Sequence, residues 1–459
     1  MNVLPCPGCR ERDARIAELE TRLANLEARL NTNATNSSTP PSANPLGAPK
    51  NKKKMSKRQR GGQPGHPPHL KQLLPPERVT RVVPFLPATC TGCHAPLPTE
   101  PGPHDREVTR FQSIELPPIM VEVTEYQGHT RTCTGCGTVN HAAIPAEVRK
   151  HSVGERLTAI LSYLTGNLGL SKRNVEALAE DVFRAPVSLG TVAKLEQEVS
   201  AALAESHQQA CAAVQQAAVA FADETSWKLW GKLCWLWAAA TTNLAVFVIY
   251  PQRSALGLAA ILGTEFDGLL HSDRYHVYRQ VPAERRQICW AHLKRDFQKV
   301  VDGGGASVFV GRRGLRIVKD VFAAWHEFQE GQVTRPQLQA RLEPIANRLN
   351  KALVEGAYGD DARVAKFCEN VLKLEPALWT FAAQEGVEPT NNFMERLMRL
   401  AVLWRKRSFG CNSDAGCRYV ERILTVVQTC RLRHRSVLEY LHDAVRAHRE
   451  GARSPSLLF

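Results

Sequence analysis

The chain has 459 residues, more than one ordinary domain holds, so about two to four folded units are expected. Hydrophobic residues make up 43% and charged residues 23%, the balance of a globular protein and not of a disordered or fibrous one. Lysine and arginine number 59 against 45 acids, and the resulting charge of +14 favours a polyanionic partner, nucleic acid first and an anionic membrane surface second.

Residues 1–15 are polar and charged, unlike a secretory signal. The longest apolar region, 233–250, is interrupted by Thr241, Thr242 and Asn243 and reads as two strands and a turn, so no membrane span is expected. The 13 cysteines are an odd number without a signal, which argues for reduced thiols, some of them metal ligands, in a cytoplasmic setting, where a DNA-binding protein is expected to be nucleoid-associated.

Ile16, Leu19, Leu23, Leu26 and Leu30 follow a 3, 4, 3, 4 spacing, an a/d seam that predicts a coiled coil over residues 1–31 and at least a homodimer. The plainer alternative is a helix packed on its own domain. Cys6-Pro7-Gly8-Cys9 precedes the seam, either as free thiols or as half of a zinc clasp in a parallel pair. Residues 32–77 form a basic, Pro/Gly-rich linker. Within it Lys50, Lys52, Lys53, Lys54, Lys57, Arg58 and Arg60 occur without an acid. They predict a DNA-binding arm on the phosphate backbone, against the alternative of a solvated tail.

Residues 78–150 read as short strands around two Cys-x-x-Cys knuckles, Cys90–Cys93 and Cys133–Cys136. Four thiolates make a closed tetrahedral set, so a zinc-ribbon-like domain with a structural Zn²⁺ is expected. Residues 151–212 are a helical DNA-binding region, in which 171–181 and 188–199 have the size and spacing of a helix-turn-helix. Residues 213–292 alternate three strands, a helix, a strand, a helix and a strand, the first part of an α/β ribonuclease-H-like core. Residues 293–385 read as a helical insertion, and 386–459 as the closing helices.

Asp223 is expected where the first strand stops and Asp273 just past the fourth, with the two strands adjacent. Paired carboxylates at strand ends supply hard oxygen ligands for Mg²⁺ or Mn²⁺ in phosphoryl transfer, although an Asp after a strand also starts turns. Glu395 lies in Asn392-Phe393-Met394-Glu395, which satisfies a capping box with Glu395 at the N3 position. Arg396, Arg399, Arg405, Lys406 and Arg407 follow it and are candidate phosphate contacts. Glu224 adjoins Asp223, but strand alternation turns it to the other face.

Ala222-Asp223-Glu224-Thr225, Cys289-Trp290-Ala291-His292-Leu293-Lys294-Arg295, Pro389-Thr390-Asn391-Asn392 with Glu395-Arg396, and Ser413-Asp414-Ala415-Gly416 with Val420-Glu421-Arg422-Ile423-Leu424-Thr425 resemble, in this order, the bacterial transposases of the insertion sequence 66 family. The resemblance extends to the N-terminal coiled coil, the Gly-Gly-Gln-Pro-Gly-His element and the knuckles. It implies a DDE-type catalytic domain with a triad on Asp223, Asp273 and Glu395 and an insertion before the Glu. It also implies helper proteins from the same element. Cys289-x-x-His292 resembles an element seen near the insertion start in several such enzymes. Arg274 stands where a Gly is expected after the second Asp, and Phe393 and Met394 replace small residues before the Glu.

The expected function is therefore a transposase that binds terminal inverted repeats and, with Mg²⁺ or Mn²⁺, cleaves double-stranded DNA and transfers the end to target DNA. The alternatives are a catalytically decayed DNA-binding repressor and a ribonuclease-H-like nuclease.

Overall fold

The computed structural model describes residues 73–100, 102 and 109–458, together with residues 12, 15–20 and 22–23 of the N-terminal part. The basic run at 50–60, the Gly-Gly-Gln-Pro-Gly-His element, Cys6, Cys9, Leu26 and Leu30 lie outside the described residues. Ile16, Leu19 and Leu23 are helical and exposed. The chain divides into two compact units, one of residues 51–121 and one of residues 1–50 with 122–459.

In the 51–121 unit none of the described residues is buried. Its local order comes from hydrogen bonds. The Gln112 amide accepts from Leu74 N–H (2.7 Å) and donates to Leu74 O (3.0 Å), and a bridge between Thr89 and Pro96 closes the first knuckle.

The other unit opens with a hairpin of β1 (Thr130–Thr132) and β2 (Val139–His141) around the second knuckle, then α1 (Ala146–Lys150). A helical cluster follows: α2 (Glu155–Gly166), α3 (Lys172–Asp181) and α4 (Leu189–Ala202), packed through Leu161, Leu164, Val175, Val192 and Leu195. Ser171 and Ser188 start α3 and α4 by accepting the N–H of Asn174 and Thr191. α5 (Ala204–Gln215) leads into the sheet.

The sheet has five strands in the order β5-β4-β3-β6-β7. β3 (Val219–Leu229), β4 (Lys232–Thr241) and β5 (Leu244–Tyr250) form an antiparallel meander. After α6 (Ala255–Leu262), β6 (Leu269–Ser272) returns parallel to β3, and β7 (Arg286–Ile288) is parallel to β6. Two short 3₁₀ turns, His276–Gln280 and Ala283–Arg285, replace the expected helix between β6 and β7. β3 also does not stop at Asp223. It runs six residues further because β4 pairs with it as far as Leu229, whereas its pairing with β6 ends at Phe221.

Strand alternation splits the core. Ala220, Ala222, Trp237 and Ala239 face α5, α6 and α14 (Val437–Glu450), whereas Phe221, Trp227, Ala238 and Phe247 face α12 (Asn392–Ser408) and α13 (Asp414–Leu432). Between β7 and α12 come α7 (Trp290–Asp302), α8 (Val308–Gln329), α9 (Arg335–Ala357), α10 (Ala362–Leu372) and α11 (Pro376–Ala383). These helices share a core of Trp290, Phe297, Val321, Leu342 and Phe381.

The outer edge of the sheet is closed by side chains. Glu421, Thr425 and Thr429 recur every four residues and so share one face of α13. They accept the N–H groups of Ile249 (2.6 Å), Phe247 (3.1 Å) and Ala245 (3.1 Å) along β5. Polar groups that would otherwise be an open pairing edge are thus satisfied within the chain.

Candidate catalytic carboxylate site

In the β3–β6 ladder every pair is offset by 50 residues and the last is Phe221 with His271; Asp223 and Asp273 each lie two residues past that pair. Each carboxylate is held by a main-chain donor. Glu224 N–H donates to Asp223 Oδ1 (2.9 Å), and Tyr275 N–H donates to Asp273 Oδ1 (2.7 Å). Burial holds the Asp223 carboxyl well above the usual aspartate range, and the charges of Glu224, Asp273 and Glu395 push it further. Both other sequence candidates thus lie near enough to Asp223 for their charges to raise it.

Glu395 lies in the first turn of α12, with Oε1 3.9 Å from His292 Nδ1 and 4.0 Å from an Arg295 guanidinium nitrogen. The capping box expected there is not formed. The helix begins one residue earlier than the box requires, with Asn391 at the cap position and no side-chain cap. The Asn391 amide instead donates to Ala222 O on β3 (2.9 Å), and its backbone N–H donates to Cys289 Sγ (3.2 Å). Trp290 N–H donates to Pro389 O (2.8 Å) beside it. One asparagine thus ties together the strand of Asp223, the start of α7 and the helix of Glu395. Cys289 is buried, which pushes its thiol up to about 11, and it serves as a packing acceptor.

Glu224 turns to the opposite face of β3. Its side chain is 1% exposed and accepts from Arg253 Nε (2.8 Å) and from the Tyr278 hydroxyl. Arg253 lies 3.8 Å from the centre of the Tyr275 ring and 4.9 Å from that of Trp235. Nothing in the local sequence signals this network, because Arg253 is 29 residues from Glu224. His271, two residues before Asp273, is fully buried against Phe221 with both ring nitrogens unpartnered, and burial lowers it to about 3. Arg286 is also buried, and it donates to Asp273 O (3.0 Å) and Ser272 Oγ (3.2 Å).

Among the described residues no three His, Cys, Asp or Glu side chains, the triad and the knuckle cysteines included, stand together closely enough to hold a metal ion. The donor chemistry still fits a divalent cation: Asp223 and Asp273 are hard oxygen donors, and the burial and neighbouring negative charge that raise Asp223 are what a cation would offset. Of the candidate phosphate contacts, Arg396, Arg399 and Lys406 are exposed on α12. Arg405 is turned back onto β3, where it donates to Thr225 Oγ1 (2.7 Å) and to Ser226 O (2.6 Å). Lys52, Lys53, Lys54, Lys57, Arg58 and Arg60 lie outside the described residues.

The two knuckles share one design. Cys90 O accepts from His94 N–H (3.0 Å), and Cys133 O accepts from Gly137 N–H (2.9 Å). Backbone N–H groups of Cys93 and Gly92 lower the Cys90 thiol, and Thr138 lowers that of Cys136. Cys90 and Cys93 belong to one compact unit, and Cys133 and Cys136 to the other.

Residues 150–419 match the Transposase IS66 family, and residues 10–72 match a family of unknown function. A Sinorhizobium fredii protein described as uncharacterized is 22% identical over 93% of this chain and 78% of its own length.

Proposed function

The chain belongs to the Transposase IS66 family, and on that premise we propose that it binds the terminal inverted repeats of its element, cleaves the DNA at the element end and joins that end to target DNA. The observation that carries this reading is that the charges of Asp273 and Glu395 both reach Asp223, at a place where Asn391 links three distant stretches of the chain. The order β5-β4-β3-β6-β7, with helices inserted before Glu395, supports a ribonuclease-H-like catalytic core.

Asp223, Asp273 and Glu395 would hold Mg²⁺ or Mn²⁺, which when bound supplies charge stabilisation for the attacking and leaving phosphodiester oxygens. The backbone donors at Glu224 and Tyr275 fix where the two aspartates present their oxygens. Water would open the phosphodiester, and the freed 3′-OH would then attack the target strand in line. Such in-line transfer needs positioning and charge stabilisation and no covalent enzyme intermediate.

The helix pair α3–α4 fits sequence-preferring contacts in a major groove, and the basic residues from Lys52 to Arg60 fit the phosphate backbone. We read the two knuckles as structural zinc ligands, the seam at residues 1–31 as the means of pairing two copies, and proteins of the same element as helpers. Among the described residues no helix is long and apolar enough to cross a membrane.

A cell-based transposition assay tests the proposal. Asp223→Ala, Asp273→Ala and Glu395→Gln should each abolish transposition while leaving binding to the terminal DNA nearly intact. Wild-type transposition by any one of them removes that residue from the site. Binding without cleavage by the wild type would favour a repressor, and cleavage without joining a plain nuclease.

A further inference from the structure

The tip of the β3–β4 hairpin and the end of α12 meet at one backbone joint. Cys411 N–H donates to Lys228 O (2.8 Å), Trp230 N–H donates to Cys411 O (3.0 Å), and Leu229 and Cys411 form an isolated bridge. Gly410 approaches so closely that a Cβ there would stand 2.2 Å from Lys228 O. Two large aromatic side chains flank this joint. Trp230 is 64% exposed and Phe409 76% exposed.

Both occupy positions suited to small residues. Trp230 (φ 54°) and Gly231 (φ 73°) are the central pair of a two-residue hairpin turn with both φ values positive, where Asn or Gly is preferred first. Phe409 (φ 59°) ends α12 in the left-handed conformation, where Gly is usual. A bulky residue with positive φ is an outlier, and neither ring is buried. Turn geometry and packing therefore leave both aromatics unexplained, which points outward, to a ligand.

The surrounding charge says which. Residues 228–233 contain Lys228 and Lys232, residues 405–413 contain Arg405, Lys406 and Arg407, and neither segment contains an acid. Lys228, Lys232, Lys406 and Arg407 are exposed. Exposed rings beside exposed cations match a nucleic acid, which offers base faces to the rings and phosphates to the cations.

We propose that Trp230 and Phe409 form an aromatic wedge that engages base steps of the substrate duplex. This rests on the transposase reading, with the carboxylate site at Asp223. Seven residues of β3 separate Asp223 from Trp230, about 23 Å at roughly 3.3 Å per residue. On a duplex rising about 3.4 Å per base pair, the wedge meets DNA about seven base pairs from the scissile phosphate. Lys228 and Lys232 hold the backbone on either side.

The test uses the full chain and a fluorescent duplex carrying the DNA that flanks this gene, with 2-aminopurine placed at successive positions. Trp230→Gly and Phe409→Gly both remove a ring at a position where glycine is conformationally preferred, so the fold is retained. The double variant should bind roughly tenfold or more weakly, by the usual worth of base–aromatic stacking, with an unchanged salt slope. Lys228→Gln with Lys232→Gln should instead flatten the salt slope. In the wild type, 2-aminopurine fluorescence should rise at the predicted step, and in the double variant it should not. Equal affinity and an unchanged 2-aminopurine signal overturn the wedge. A changed sedimentation coefficient with unchanged DNA affinity also overturns it and makes the tip a self-association surface. Failure of the wild type to bind the duplex at all fails the transposase reading itself, a result distinct from loss of the wedge alone.

Discussion

Residues 73–148 and the sheet with its covering helices solve the same problem by opposite means. In the first region no described residue is buried, and Phe85 and Phe111 are 92% and 89% exposed. In the second, Trp227, Trp237 and Phe247 are fully buried, and even the strand edge is capped from within. Where apolar burial is ample, a protein can tolerate a repelling carboxylate cluster and hold it in place. Where burial is absent, order has to come from somewhere else, and thiolate–metal bonds are the established means for small segments.

Metal removal gives the largest contrast between the two. The full chain should bind about one zinc, lost in Cys133→Ser, as expected of a closed thiolate site. Chelation should then erase amide-exchange protection in residues 73–150 while leaving β3–β5 protected. Equal loss in both regions would break the contrast. Next comes the capped edge. Glu421→Ala strands the buried Ile249 N–H and should cost roughly 1–3 kcal/mol in denaturant unfolding, the usual penalty for an unsatisfied buried donor.

A smaller effect, of opposite sign, is expected at the carboxylates. Asp223 is held well above its ordinary range by burial and by neighbouring charge, so its ionised form opposes folding at neutral pH. Asp223→Asn should therefore raise the melting temperature without divalent metal by about 1 °C, which corresponds to roughly 1 kcal/mol for a chain of this length. Added Mn²⁺ should stabilise the wild type more than this variant. The smallest effect concerns acid. His271 is lowered to about 3 from 6.5, so its unfolded form binds a proton first as pH falls. Its contribution is intact above pH 6.5 and is lost progressively towards pH 3. The acid limb of a melting curve series should be flatter in His271→Leu, and an unchanged limb would mean that the ring finds a proton-stabilising partner.

Much of the sheet was legible because its longer strands contain apolar runs bounded by turns such as Thr242–Asn243. The placement of Asp223 inside β3, and not at its end, was not legible. It depends on two different partners releasing the strand at two different points, and no local pattern encodes that. Asn392-x-x-Glu395 carries the signature of a capping box, but the neighbouring Asn391 is drawn to Ala222, 169 residues away, and fixes the helix start instead. Glu421, Thr425 and Thr429 have the spacing of a solvent-facing stripe on any amphipathic helix. Only the proximity of β5 turns them into a buried ladder. Arg405 similarly sits in a basic cluster suited to phosphate, yet its guanidinium serves β3.

We propose that Asp223, Asp273 and Glu395 work as one site. Strand-transfer rates with a labelled element end and Mg²⁺ test it most directly, measured for the three single variants and for the triple variant. Each single loss should be about a hundredfold to a thousandfold, the scale seen when one preorganised charge-stabilising group is removed. The triple variant should be no slower than the worst single one, because members of one catalytic unit fail together. Losses that multiply from variant to variant would show independent contributions and contradict a shared site.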